Sequence, residues 1–156
     1  MKEEGRIAAA EAGSKKKVRE LSKILIVDDS DENLRLFSTI LKNKSYRITT
    51  AVNGEEALQK LRKEPPDLIL SDILMPVMDG FRLLQECKAD PALSHIRFVF
   101  ITGAFTDKKD EELGLKLGAD AFLRKPIEPV DLARELADVL SGKPATKKGK
   151  RKPKED

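Results

Sequence analysis

Residues 66–81 read PDLILSDILMPVMDGF, and they indicate the fold more clearly than any other segment. The first half of this stretch is a short run of leucine and isoleucine that stops abruptly at Asp72, which is typical of a strand buried on both faces. Its second half passes through Pro76 to Asp79 and Gly80, after which apolar residues recur at helical spacing. The stretch therefore predicts a buried strand, a loop and a helix in succession.

The same alternation of strand and helix continues in both directions from this stretch. Four further segments predict strands that are each followed by a helical pattern: KILIV (23–27), YRITTAV (46–52), IRFVFIT (96–102) and DAFL (120–123). Parallel strands need crossover connections, which are usually helices. The five strands and five helices therefore predict an α/β fold with a doubly wound five-stranded parallel sheet flanked by five helices.

The two ends of the chain differ from its body in composition. Its 156 residues are a single-domain length. Residues 1–22 have no sustained apolar period, and residues 142–156 carry seven basic and two acidic residues with no large apolar side chain. We therefore expect a flexible leader (1–22), one domain (23–141) and a disordered basic tail (142–156), with too few residues after the domain for a fused output module.

Several classes of function are excluded by what the sequence lacks. No stretch approaches the roughly 18 apolar residues of a membrane-spanning helix. The apolar run near the N-terminus, residues 7–10, is too short for a signal peptide. One cysteine, Cys87, and one histidine, His95, provide neither an internal disulfide nor a zinc site. Gly114 and Gly118 form a GxxxG spacing that we interpret as accidental in a charged helix. The sequence predicts a soluble cytoplasmic protein without a phosphate-binding loop.

Polar side chains follow four of the predicted strands at the points where those strands end. These side chains are Asp28, Asp29, Asp72, Thr102 and Lys125. Each alone has an ordinary structural explanation, such as a helix cap or a turn, but the carboxyl ends of parallel strands meet at one edge of the sheet. Carboxylates that lie this close repel one another and favour a cation, and oxygen-only ligands indicate Mg²⁺ or Mn²⁺.

Four segments carry a resemblance to a known family: ILIVDDSDENL (24–34), PDLILSDILMPVMDGF (66–81), FVFITGAFTD (98–107) and GADAFLRKPIEP (118–129). Over about residues 23–141 the chain resembles the flavodoxin-like receiver domain of two-component response regulators. The resemblance implies that Asp72 is the phosphoacceptor. It also implies that Asp28, Asp29, Asp72 and the backbone carbonyl of Leu74 hold Mg²⁺, and that Lys125 binds the phosphoryl group.

The resemblance further implies a switch that responds to phosphorylation. Thr102 matches the switch hydroxyl and Phe122 the switch aromatic residue, while Pro126 matches a proline whose preceding bond is usually cis. Leu74 and Ala104 match the two variable positions beside the site. Because both side chains are apolar, they cannot position an attacking water, and we expect dephosphorylation to be slow.

The family implies a sensor histidine kinase or a histidine phosphotransfer protein as the phosphodonor. The chain is then a single-domain response regulator, a phosphorylation switch or phosphorelay intermediate that assists its own phosphoryl transfer and is not a turnover enzyme. Its downstream protein target cannot be deduced from the sequence. Two alternatives remain at this stage, a Mg²⁺-dependent phosphatase and an accessory protein that binds nucleic acid through the basic tail. That tail can equally serve only to keep the protein in solution.

Overall fold

The structure, a computed structural model, describes residues 22–103 and 107–142. The predicted leader up to residue 21, the variable position Ala104 and the basic tail from residue 143 lie outside the described residues. Among the helices of the described ranges, none combines the length and the apolar character that crossing a bilayer requires.

The described residues form one parallel sheet in the strand order β2-β1-β3-β4-β5, with helices in every connection. The doubly wound α/β fold predicted from the sequence is therefore confirmed. The elements are β1 Lys23–Val27, α1 Asp31–Lys42, β2 Arg47–Ala51, α2 Gly54–Lys63, β3 Leu68–Ser71, α3 Gly80–Ala89, β4 Arg97–Thr102, α4 Lys108–Lys116, β5 Ala121–Arg124 and α5 Pro129–Leu140.

Both faces of the sheet are covered by helices, which explains why the buried positions of its strands are apolar. Leu25, Val27 and Ile69 pack on one face with residues of α2 and α3, whereas Ile24 and Ile26 pack on the other face with α1 and α5. Successive side chains of a strand point to opposite faces, so a strand covered on both sides needs apolar residues at every position. Burying each such side chain contributes roughly 1.5–3 kcal/mol.

Four helices begin at a polar residue that caps the first turn shortly after a strand. The side-chain oxygen of the capping residue accepts a hydrogen bond from the backbone N–H three residues later, which satisfies a group that the helix leaves without a partner. The capping residues are Ser30, Asn53, Asp79 and Asp107. These caps fix the point at which the chain turns back from the carboxyl end of the sheet.

The fifth strand is shifted by one residue from the predicted DAFL segment. Asp120 precedes the strand, which extends instead to Arg124. The carboxylate of Asp120 accepts a hydrogen bond from the N–H of Phe98 at 2.9 Å, while its own N–H donates to the carbonyl of Phe98 at 2.7 Å. Asp120 therefore joins the start of β5 to β4, a role that composition alone does not reveal.

Candidate functional site

The carboxyl end of the sheet brings four of the predicted site residues together. The N–H of Asp28 donates to the carbonyl of Ala51 at 3.1 Å, and the N–H of Asp72 donates to the carbonyl of Val27 at 2.9 Å. The N–H of Lys125 likewise donates to the carbonyl of Thr102 at 2.9 Å. These bonds prolong the ladder by one step, so the first side chain beyond each strand is held at a fixed place on the same edge.

Asp28 is a buried carboxylate whose two oxygens are both hydrogen-bonded. Its Oδ1 accepts from the N–H of Ser30 at 2.9 Å, and its Oδ2 accepts from Nδ2 of Asn33 at 3.2 Å. The Lys125 ammonium lies 3.2 Å from the same Oδ2. A buried charge is tolerated only when it is paired and hydrogen-bonded, and Asp28 meets both conditions.

Asp72 lies at the centre of the cluster and has one oxygen turned toward the lysine. Its Oδ1 accepts from the N–H of Ile73 at 2.7 Å, while Oδ2 lies 3.5 Å from Lys125 Nζ. The side chain of Thr102 also hydrogen-bonds to this carboxylate. Burial raises the pKa of Asp72, and the nearby Lys125 charge opposes that increase. The Asp72 side chain keeps 12% of its surface exposed, so a reactant can reach it.

Three carboxylates in the cluster can supply ligands to one metal ion. One ligand atom each from Asp28, Asp29 and Asp72 lies within 4.8 Å of the others. Asp29 is exposed, which leaves the cluster open to solvent on one side. The donors are all oxygen, and three negative charges face one ammonium, so the cluster fits a hard divalent cation such as Mg²⁺.

The loop between β3 and α3 is held close to Asp72 by Gly80. A Cβ atom at Gly80 would lie 2.3 Å from the carbonyl oxygen of Asp72, so the backbone approach requires glycine. The N–H of Gly80 donates to the carbonyl of Ile73 at 2.8 Å. Within the loop, Leu74 is exposed, and Val77 adopts a φ of +72°. The predicted carbonyl ligand at Leu74 thus belongs to a loop whose two ends are tied together beside Asp72.

Phe122 is half-buried between β4 and α4, on the predicted path from the site to the surface. Its ring lies 5.9 Å from that of Phe100, and the guanidinium of Arg124 lies 5.2 Å from its centroid. Thr102 is buried at the end of β4 and pairs in register with Arg124. The predicted switch residues Thr102 and Phe122 therefore belong to adjacent strands. The Lys125–Pro126 peptide bond is cis.

Sequence reasoning missed two residues that shape the site. Asn33 supports the carboxylate of Asp28, although only its place three residues after the Ser30 cap could have drawn attention to it. Gly114 is the second, because a Cβ there would lie 3.1 Å from the Phe100 ring and 3.3 Å from the Phe122 ring. This contact concerns Gly114 alone, since Gly118 lies against Lys88, and the GxxxG spacing of the pair has no shared role here.

The comparisons with known proteins all indicate one family. The family model described as the response regulator receiver domain matches residues 24–137. The response regulator PleD of Caulobacter vibrioides is 42% identical over 111 residues, which are 71% of this chain and 24% of PleD. The response regulator GtcR of Aneurinibacillus migulanus is 41% identical over 117 residues, which are 75% of this chain and 47% of GtcR.

Two solved structures with the same fold match this chain over nearly the whole of their own length. The signal receiver domain of a signal transduction histidine kinase from Syntrophus aciditrophicus has a TM-score of 0.71 at 38% identity, covering 78% of this chain and 91% of that domain. The chemotaxis response regulator CheY4 of Vibrio cholerae has a TM-score of 0.72 at 32% identity, covering 77% of this chain and 99% of CheY4. The present chain spans between about a quarter and a half of the length of PleD and GtcR.

Proposed function

This chain belongs to the response regulator receiver family, and on that premise we propose that Asp72 accepts a phosphoryl group from a phosphorylated histidine of a sensor histidine kinase or a histidine phosphotransfer protein. The observation that carries the proposal is the shared lysine: Lys125 lies 3.2 Å from Asp28 and 3.5 Å from Asp72. A cation held between two carboxylates is ready to bind the anionic group that one of them receives.

In the proposed transfer, a carboxylate oxygen of Asp72 forms a bond to phosphorus while the bond between phosphorus and the donor imidazole nitrogen breaks. The electron pair of the broken bond stays on that nitrogen, and because the other ring nitrogen of the donor is protonated, the imidazole leaves as a neutral ring. Among the described residues, Lys125 and the Thr102 hydroxyl lie beside Asp72 and can donate to the phosphoryl oxygens. Both already lie beside Asp72, so the arriving charge acts on them at short range.

The acidic cluster fits the Mg²⁺ that the reaction requires. Asp28, Asp29, Asp72 and the carbonyl of Leu74 would hold the ion, and Mn²⁺ suits the same oxygen donors. When bound, Mg²⁺ supplies positive charge that neutralises the phosphoryl oxygens. Asp28 keeps its hydrogen bonds from Ser30 and Asn33, which orient its carboxylate for this role.

Phosphorylation replaces the single charge of the Asp72 carboxylate by a phosphoryl group that carries roughly 1.5–2 negative charges on three oxygens. This change is passed to the surface by residues of β4 and β5. Lys125 and Thr102 are drawn toward the new oxygens, and the Phe122 ring takes up the space that Thr102 leaves. Gly114 leaves this ring room on the α4 side. The chain then acts as a switch or as a relay intermediate, without turnover of a substrate.

We propose residues 23–141 as the receiver unit and the cytoplasm as its location, where ATP-dependent kinases phosphorylate the donor histidine. One relative is named a probable cyclic di-GMP phosphodiesterase of Vibrio cholerae, and this chain spans 23% of its length. That activity is named for the whole relative and is not part of our proposal.

Dephosphorylation of Asp72 is expected to be slow, because the side chains of Leu74 and Ala104 at the two variable positions are apolar and cannot position an attacking water. Ala104 lies outside the described residues.

The proposal is tested by intact-mass measurement after incubation with acetyl phosphate, a small phosphodonor. We expect one phosphoryl mass in the presence of Mg²⁺ and none in excess EDTA. Asp72→Asn should show none under either condition, while Asp67→Asn, at an exposed carboxylate before β3, serves as the matched control and should be labelled normally. Labelling of Asp72→Asn, or steady hydrolysis of a phosphate ester that would indicate a phosphatase, would contradict the proposal.

A further inference from the structure

A basic groove of about 540 Å³ lies along β2, at the end of the sheet opposite Asp72. It runs between the C-terminal ends of α1 and α2 and reaches the first residues of β1 and β2. We call it the β2 groove and define it by Lys23, Lys42, Tyr46, Arg47, Lys60 and Lys63. The proposed phosphorylation chemistry makes no use of any of these residues.

The charge in the β2 groove is strongly one-sided. Five of the side chains that line it are basic and one, Glu64, is acidic. Lys42, Arg47 and Lys63 have no ion pair within residues 22–103 and 107–142. The other two cations form exposed ion pairs at 3.3 and 3.5 Å, and pairs of this kind contribute little stability and exchange readily. The groove therefore presents positive charge that an anionic partner can neutralise.

The backbone of β2 offers hydrogen-bonding groups beside these charges. At the two ends of the strand, the N–H of Arg47 and the carbonyl of Ala51 bond toward β1. Alternate residues of a parallel ladder bond to the same neighbour, so the backbone groups of Ile48 and Thr50 face away from β1. On that side no strand lies within the described residues. Lys60 Nζ donates to the Thr50 carbonyl, which leaves the N–H and C=O of Ile48 for an incoming strand.

We propose that the β2 groove binds an acidic segment of a protein partner, which adds to the free edge of β2 as an extended strand. Main-chain hydrogen bonds to Ile48 hold the segment, and Lys42, Arg47 and Lys63 select acidic side chains. An extended peptide can pair with both the N–H and the C=O of Ile48 in addition to the charges, whereas phosphate oxygens, which only accept hydrogen bonds, leave the C=O without a partner. Tyr46, the aromatic residue of the groove, is half-buried, and this limits base stacking.

The proposal is tested on the full chain with a labelled octapeptide of alternating glutamate and valine, followed by fluorescence anisotropy. A glutamine version removes its charge, and a version with proline in place of the valines keeps the charge but cannot form a strand. The variant Arg47→Glu/Lys63→Glu reverses two charges of the groove. Its matched control is Lys109→Glu/Lys116→Glu, which reverses two exposed lysines on α4 beside the opposite edge of the sheet.

We expect the glutamate peptide to bind, and the Arg47→Glu/Lys63→Glu variant to bind it at least about tenfold more weakly while the α4 control is unchanged. The peptide should also slow amide exchange of Ile48, with Thr49, whose N–H faces β1, as the internal reference. Equal binding of the proline peptide, or binding without protection of Ile48, would overturn strand addition. Tighter binding of duplex DNA with the same loss in the variant would assign the groove to a polyanion instead.

Discussion

Lys125 is shared between Asp28 and Asp72, and its ammonium also lies 5.7 Å from the centroid of the Phe37 ring. Lys125→Ala should therefore retain partial phosphorylation, because Asp72 and the metal ligands remain, yet lose the coupling to Phe122. We expect the amide shifts around Phe122 that beryllofluoride induces in the wild type to be absent from the variant. If beryllofluoride induced the same amide shifts in Lys125→Ala as in the wild type, this role of Lys125 would be contradicted.

Cys87 illustrates how burial controls the chemistry of a single group. Its thiol is buried in α3, and burial raises its pKa from 9.0 to about 12. The thiolate is the reactive form, so alkylation of the native protein near pH 8 should be at least about tenfold slower than that of the urea-unfolded chain. Equal rates in the two states would show that Cys87 is accessible.

The same shift gives Cys87 a pH dependence of stability. Between pH 9.0 and about 12 the unfolded chain loses the thiol proton while the folded protein retains it, so the free energy of unfolding falls as pH rises through this window. Urea titrations of Cys87→Ala should show a smaller fall than those of the wild type over that range. An identical fall would assign the effect to other groups.

At the scale of elements, the β3–α3 connection depends on a glycine at its end. Gly80→Ala would place a Cβ atom 2.3 Å from the backbone oxygen of Asp72, which must then move. We expect a loss of about 1–3 kcal/mol of stability and slower phosphorylation of Asp72. Gly103→Ala is the matched control, since its Cβ would lie 3.4 Å from a methylene group of Lys125, an ordinary contact. Equal stability of the two variants would refute this account.

The elements themselves could be predicted because their signals are local. The apolar runs and the loop that ends at Asp79 and Gly80 depend on neighbours in the sequence. The convergence of Asp28, Asp72 and Lys125 was also predictable, because the carboxyl ends of parallel strands lie at the same edge of the sheet.

What could not be predicted depends on contacts between distant elements. Asn33 is recognisable as a support for Asp28 only once α1 has packed. Gly114 matters because its backbone lies against two phenylalanine rings, one on β4 and one on β5. The β2 groove needs both the free strand edge and the ends of two helices, so its lysines look like ordinary surface charge in the sequence.

At the scale of the whole chain, charge is separated between an acidic body and basic ends. Residues 142–156 carry seven basic and two acidic residues, and residues from 143 onward lie outside the described ones. If the tail docks on polyanions, deleting 142–156 should abolish retention on duplex DNA near 50 mM salt, with a log–log salt slope no steeper than about 6. If the full-length chain is not retained either, the tail serves solubility alone.

The residue that receives the phosphoryl group can be located chemically, which tests the assignment of Asp72 as the phosphoacceptor. After phosphorylation with acetyl phosphate and Mg²⁺, borohydride reduces an aspartyl phosphate to homoserine, which peptide sequencing by mass spectrometry can place. We predict homoserine at position 72 and at no other position. Homoserine at position 28 or 29, or a phosphorylated chain without homoserine at 72, would contradict the account.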